Sequence, residues 1–280
     1  MAWSTVAAVL WFMFWTSTMV MAQIWCDYMP ANDKQCHAMY DILHEFLPRV
    51  NFRPIADIWA VSHVIILTIY IFAFLPRNVS KERVIRIFFF LWGCLYALRT
   101  FSLIPTRYAR IMVEGGTIHP NGVWWAFIGF FSGQEATVAD YMFSGHTATM
   151  FLCSYFVGYY SNHSVWSSLL FVHSFVGAVL VSITWMHYTI DVLIAWWMVD
   201  WVFHRYHSIM DPEYLRAWRP GVRLTNIPGG VQLPATMTDA SGTTFELVGD
   251  KGRKSVDGGK YYNSARYSLW RTLKAFDGGK

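Results

Sequence analysis

The chain has 280 residues, of which 55% are hydrophobic, 18% aromatic and only 14% charged, with a net charge of +4. Soluble domains carry about 25% charged residues, so this composition excludes an ordinary water-soluble domain and points to a membrane protein. No nucleic-acid partner is expected of it.

A helix needs about 20 mostly apolar residues to cross the hydrocarbon, because backbone groups cannot face lipid unpaired. Six stretches qualify: 3–25, 57–75, 85–105, 144–161, 166–185 and 189–206. The first contains Val20-Met21-Ala22, which resembles a signal-peptide cleavage site. Against cleavage, no Lys or Arg precedes the run, and the run is long for a signal. The loop 26–56 follows, with Cys26 and Cys36, which could form a disulfide in an oxidising compartment. The second stretch is interrupted by Ser62 and His63. Between stretches two and three lies "PRNVSKERVIR", with Arg77, Lys81, Arg83 and Arg86 against the single acid Glu82. The third stretch holds Cys94. Arg107 and Arg110 open the loop 106–143, where they either snorkel from a helix end or hold an anion. The fourth stretch holds Cys153, Ser154 and Gly158, and both embedded cysteines read as packing residues.

Beyond 207 the composition changes. Residues 219–260 are rich in Gly, Pro, Thr and Asp and read as loop or disorder. Near the end, Leu269, Trp270, Leu273 and Phe276 share a helical face ringed by Arg266, Arg271 and Lys274. That pattern over 261–276 suits a helix on an anionic membrane surface or a short helix packed on the domain. The expected organisation is all-α: a six-helix transmembrane domain over 1–207 and a basic, partly disordered tail over 208–280.

Basic residues in short loops mark the cytosolic side. The loop after stretch two and the tail, which carries roughly half of all Lys and Arg, are therefore assigned there. Six crossings then put both termini in the cytosol and leave loops 26–56, 106–143 and 186–188 on the lumenal or outer side. The sequons at Asn78 and Asn162 fall on cytosolic loops and are expected to stay unmodified.

Ionisable residues at membrane depth are costly and are functional candidates. His187 and Asp191 lie four residues apart in "TWMHYTIDVLIAWW", a spacing that stacks both on one helical face. A carboxylate on one imidazole nitrogen fixes the tautomer and frees the other to attack; the bland alternative is a pair that satisfies itself between helices. His146, in "YMFSGHTATM", opens stretch four as His187 opens stretch six. Those stretches run the same way, so both histidines begin their helices at one membrane face. Ser144 and Thr147 add hydroxyls, Gly145 allows close approach, and the helix start favours an anion. The set suits phosphoryl transfer through a phosphohistidine, with one histidine attacking and the other moving protons. It requires no cofactor and no metal, and no HExxH or paired-cysteine spacing supports a metal site.

"DYMFSGHT" at 140–147 and "HYTID" at 187–191, within six spans, resemble the sphingomyelin synthases of the lipid phosphatase/phosphotransferase superfamily. "LYALR" at 95–99 is similar to a further family motif, and "DILHEFLP" at 41–48 weakly resembles the segment before the second span. The resemblance implies a catalytic triad of His146, His187 and Asp191, with His187 as nucleophile and His146 as acid and base. It makes Arg99 a phosphate ligand or a structural ion-pair partner, and Asp140 a head-group ligand or helix cap, with Ser144, Thr147 and Tyr141 beside the substrate. It implies transfer of phosphocholine from phosphatidylcholine to ceramide, releasing diacylglycerol, in the Golgi or plasma membrane, with homo-oligomerisation open. Val138-Ala139-Asp140 replaces the family's Cys-Gly-Asp, and a clean Pro-Leu-Pro-Asp is missing, so ethanolamine or inositol head groups stay open. Phosphatase signatures are absent, which favours lipid-to-lipid transfer over a lipid phosphate phosphatase; a non-catalytic lipid-binding protein is the third reading. Trp124, Trp125, Tyr141 and Phe143 could cage a choline cation or merely anchor the protein at the interface.

Overall fold

A computed structural model describes residues 3–28, 40–52, 54–77, 79–104, 122–132, 142–161, 164–210, 236–238 and 244–246. Six long helices match the six apolar stretches. They are α1 (Trp3–Tyr28), α3 (Pro54–Ile69, continued by a π turn over Tyr70–Phe74), α4 (Lys81–Leu103), α6 (Gly145–Tyr160), α7 (Ser164–Ile183) and α8 (Thr189–Met210). Two short helices appear in the loops, α2 (Ile42–Phe46) and α5 (Val123–Phe131). Four segments are long and apolar enough to cross a membrane: Trp3–Asp27, Pro54–Phe74, Lys81–Leu103 and Val165–Ile183.

The outward faces of α1, α3 and α7 are apolar. Leu10, Phe14, Val61, Ile65, Leu169 and Val172 are all exposed, an arrangement water would penalise and lipid would not. In lipid, helices associate by close packing rather than by escape from water. The α1–α4 pair shows how. Gly93 faces Trp11 so closely that an added Cβ would lie 2.5 Å from its ring, and Phe12 packs on Trp92 at 4.6 Å between ring centroids. Thr5 donates to Glu82 near one end of this pair (2.8 Å), and Cys26 Sγ reaches the Leu103 carbonyl at the other (3.9 Å). The two helices therefore run parallel, as an intervening reversal through α3 requires. α1 continues unbroken through Val20–Ala22, and Val20 and Ile24 are buried in a cluster with Leu103 and Ala126.

α6 lies at the centre, packed against α3, α7 and α8. The polar interruptions of stretches two and four meet there. Ser154 Oγ and Ser174 Oγ are 2.6 Å apart, and Ser174 Oγ is 3.0 Å from His63 Nε2, which ties three helices together through buried hydrogen bonds. Cys153 is buried and Cys94 half-buried, consistent with packing.

The membrane-facing elements are all helical, as expected; one short pair of strands stands outside them. Within the stretch read as loop, β1 (Thr236–Thr238) and β2 (Thr244–Glu246) form a two-stranded antiparallel hairpin with Met237 opposite Phe245. Arg107, Arg110, Cys36, Asn78, Asn162 and the segment 261–276 lie outside the described residues.

Candidate active site

Three helix starts and one helix end converge. α6 begins after an abrupt turn in which Met142 and Phe143 take φ of 132° and 49°. Such values in non-glycine residues cost of order 1–3 kcal/mol each; burial of Phe143, 1% exposed, holds the turn. Ser144 caps the helix, its Oγ accepting the Thr147 N–H at 3.2 Å. Its own N–H donates to the Asp191 carbonyl at 3.1 Å. The starts of α6 and α8 are thereby tied to each other.

His187 lies in the turn before α8 rather than on the helix, two residues ahead of Thr189. The spacing to Asp191 still brings the side chains together, but through a reversal in which Trp185 takes a φ of 58°. His187 Nδ1 lies 3.6 Å from Asp191 Oδ2, and both side chains are almost wholly buried. Asp191 Oδ2 also accepts the Tyr188 N–H at 3.2 Å, the backward half of a capping box. Neither His187 Nδ1 nor Asp191 Oδ1 has a hydrogen-bond partner among the described residues. With Nδ1 turned to the carboxylate, Nε2 is the nitrogen available for chemistry.

The His146 and His187 rings face each other at 6.5 Å between centroids and 61° between planes. His146 Nε2 lies 2.7 Å from Asp57 Oδ1, in a pair that is 29% and 56% exposed. Asp57 stands in the first turn of α3, where the positive end of a helix favours a carboxylate. Sequence reasoning missed it. The available signal was an acid on the first turn of an apolar span, pointing to the same membrane face as both histidines.

Arg99, 4% exposed, lies one turn before the end of α4 with its guanidinium against the Gly145 backbone, so that an added Cβ there would collide with it. A cation and the positive end of α6 thus sit together, an arrangement suited to an anion. Thr147 is buried, and its Oγ1 has no partner among the described residues. Ser144 serves as the α6 cap, the role the sequence had offered to Asp140. Asp140 and Tyr141 lie outside the described residues. Trp124 and Trp125 stand exposed on α5, which packs on α1, and Phe143 belongs to the buried core. Among the described residues, no group of three or more His, Cys, Asp and Glu gathers as a metal site.

Comparison with known proteins finds a match to the family described as PAP2 superfamily C-terminal over residues 137–208. That interval contains His146, His187 and Asp191 but neither Arg99 nor Asp57. A Caenorhabditis elegans protein called putative phosphatidylcholine:ceramide cholinephosphotransferase 3 is 30% identical over 200 residues, covering 61% of this chain and 57% of the relative. Mouse sphingomyelin synthase-related protein 1 is 29% identical over 202 residues, covering 61% and 41%. Rat phosphatidylcholine:ceramide cholinephosphotransferase 1 is 24% identical over 212 residues, covering 64% and 49%. The chain spans about half the length of these curated relatives.

Proposed function

As the chain is a relative of the sphingomyelin synthase family, we propose that it transfers a phosphorylated head group, phosphocholine in the first instance, from a glycerophospholipid to ceramide. The observation that carries this reading is the opposition of His146 and His187, with a buried carboxylate behind the second. In the first half-reaction, His187 Nε2 attacks phosphorus and the bond to the glycerol oxygen breaks. His146 gives that oxygen its proton, and diacylglycerol leaves. Asp191 stabilises the positive charge that develops on the His187 ring. In the second half-reaction, His146 takes the proton of the ceramide hydroxyl, whose oxygen attacks phosphorus and releases His187. Arg99 and the α6 amides offset the phosphate charge. Asp57 holds the His146 ring in place through both half-reactions, before which His146 carries the proton it gives and between which it is free to take the next.

The same reading gives six membrane-spanning helices, with α6 and α8 crossing beside the four apolar ones. The termini are cytosolic and the histidines lie at the lumenal or outer face. Placement in the Golgi or plasma membrane follows from family likeness alone. Choline is preferred on the names of the relatives; inositol and ethanolamine are the alternatives, given the departures before Asp140. The openness of the His146–Asp57 side favours one further reading, a lipid phosphate phosphatase in which water replaces ceramide.

The test is a competition assay. The purified chain in vesicles receives phosphatidylcholine, phosphatidylethanolamine and phosphatidylinositol, each with a distinct head-group label, with and without ceramide. Ceramide-dependent transfer of phosphocholine is expected. Phosphocholine released as readily without ceramide, or phosphate released from phosphatidic acid, overturns it in favour of hydrolysis.

A further inference from the structure

The His187 side chain is loosely tethered. It is buried, yet its Nδ1 makes no hydrogen bond among the described residues, and the carboxylate it faces stands 3.6 Å away. A shift of a few tenths of an ångström decides whether that pair closes. The position of the ring must therefore come from the backbone on either side of it.

The segment 41–50, which contains α2, straps that backbone. Upstream of His187, Val50 N–H donates to the Ile183 carbonyl at 3.0 Å, and His44 Nε2 lies 3.0 Å from the Ser182 carbonyl. The His44 ring stacks on Trp185 at 5.0 Å. Downstream, Asp41 Oδ2 accepts the Thr189 N–H at 2.5 Å and Oδ1 accepts the Thr189 hydroxyl at 2.6 Å. Thr189 is the first residue of α8, so its amide is one of those a helix start leaves without an internal partner. Oδ1 also accepts from the Leu43 and His44 amides, capping α2. One carboxylate thus fastens the strap to itself and to the start of α8.

We propose that Asp41 is a positioning residue for His187, acting through Thr189 to hold the imidazole in line with the reacting phosphorus. This rests on the reading of His187 as nucleophile. Burial pushes the Asp41 carboxyl up, but hydrogen bonds from the Thr189 hydroxyl and amide and the His44 amide outweigh it and hold the group below the usual carboxylate range. The clamp is therefore ionised at neutral pH. Its contribution to stability is present above the ordinary carboxyl value and is lost as pH falls through the lowered one.

A misplacement of about 1 Å can cost about 10²-fold in rate. Steady-state kinetics on the full chain in vesicles should show kcat falling roughly 10- to 100-fold in Asp41→Ala and Thr189→Val, with KM for phospholipid within about twofold. The conservative Thr189→Ser, which keeps the hydroxyl, should recover most of that loss. The double variant should be no slower than Asp41→Ala, because both changes cut one link. A rise in KM with kcat intact, or strictly additive losses, overturns the proposal.

A second readout needs no turnover: the rate at which diethyl pyrocarbonate modifies His187, followed by mass spectrometry, with His146 as internal reference. Faster labelling of His187 in Asp41→Ala at an unchanged His146 rate supports the clamp. Equal His187 rates in both proteins overturn it. A wild-type chain inactive towards every donor, but showing this difference in labelling, removes the transferase reading and leaves the clamp standing.

Discussion

The turn leading into α8 and the later part of the helix carry the same residue types at the same spacing. At the start, His187 and Asp191 lie four apart; near the end, Asp200 and His204 do too. By geometry the second is the better ion pair, at 3.2 Å against 3.6 Å, and Asp200 also accepts the Tyr155 hydroxyl at 2.6 Å. The acid of that pair is hydrogen-bonded. Its carboxylate is committed to a tyrosine of α6, which makes it a strut between helices. The first pair is buried and incompletely bonded, and it faces a second histidine across 6.5 Å. Chemistry belongs where the polar atoms are held in place with capacity left over, not where the hydrogen bonds are best.

The sharpest way to break this comparison is to delete one histidine at a time. His187→Ala should reduce ceramide-dependent transfer by at least roughly 10³-fold, whereas His204→Ala should stay within about threefold of wild type. Comparable losses would erase the distinction between the two pairs. A smaller effect is expected at Asp57, which acts on the reaction through His146. Asp57→Asn should lower kcat by about 10²-fold, the scale of general acid–base assistance, with little change in KM. An unchanged kcat would reduce the 2.7 Å contact to a surface pairing. Least of all is expected from the strut. Tyr155→Phe should leave turnover intact and cost about 0.6 kcal/mol of stability, the average for a hydrogen bond between membrane helices, read as a small drop in Tm in detergent.

The long helices were legible because hydrocarbon demands runs of apolar residues, and the six runs could be counted. The opposition of His146 and His187 followed from counting reversals, which the parallel course of α1 and α4 supports. Other features were hidden for definite reasons. α2 and α5 are too short to impose a periodic pattern, and α2 owes its start to the Asp41 cap. His187 was expected on a helical face, but the reversal at Trp185 delays α8 until Thr189. Asp57, an acid on the first turn of an apolar span, takes its meaning only from a histidine 89 positions away. Asp200 and His204 had the same spacing as the pair that was noticed, and only their packing tells the two apart.

One dimension of α6 has a consequence for the bilayer. Its 16 residues give a length of about 24 Å, several ångströms less than a hydrocarbon layer of about 30 Å. Arg99 meets Gly145 one turn before α4 ends, so the start of α6 is recessed below the rim set by its neighbour. On the proposed reading, in which α6 crosses the bilayer and His146 meets a lipid phosphate, that phosphate must either descend past the glycerol level or find the leaflet locally pinched. Such mismatch costs fractions of a kcal/mol per ångström. The shortness of one helix thus makes membrane thickness a reagent, and thin or readily dimpled leaflets become the ones in which lipid and histidine meet most cheaply.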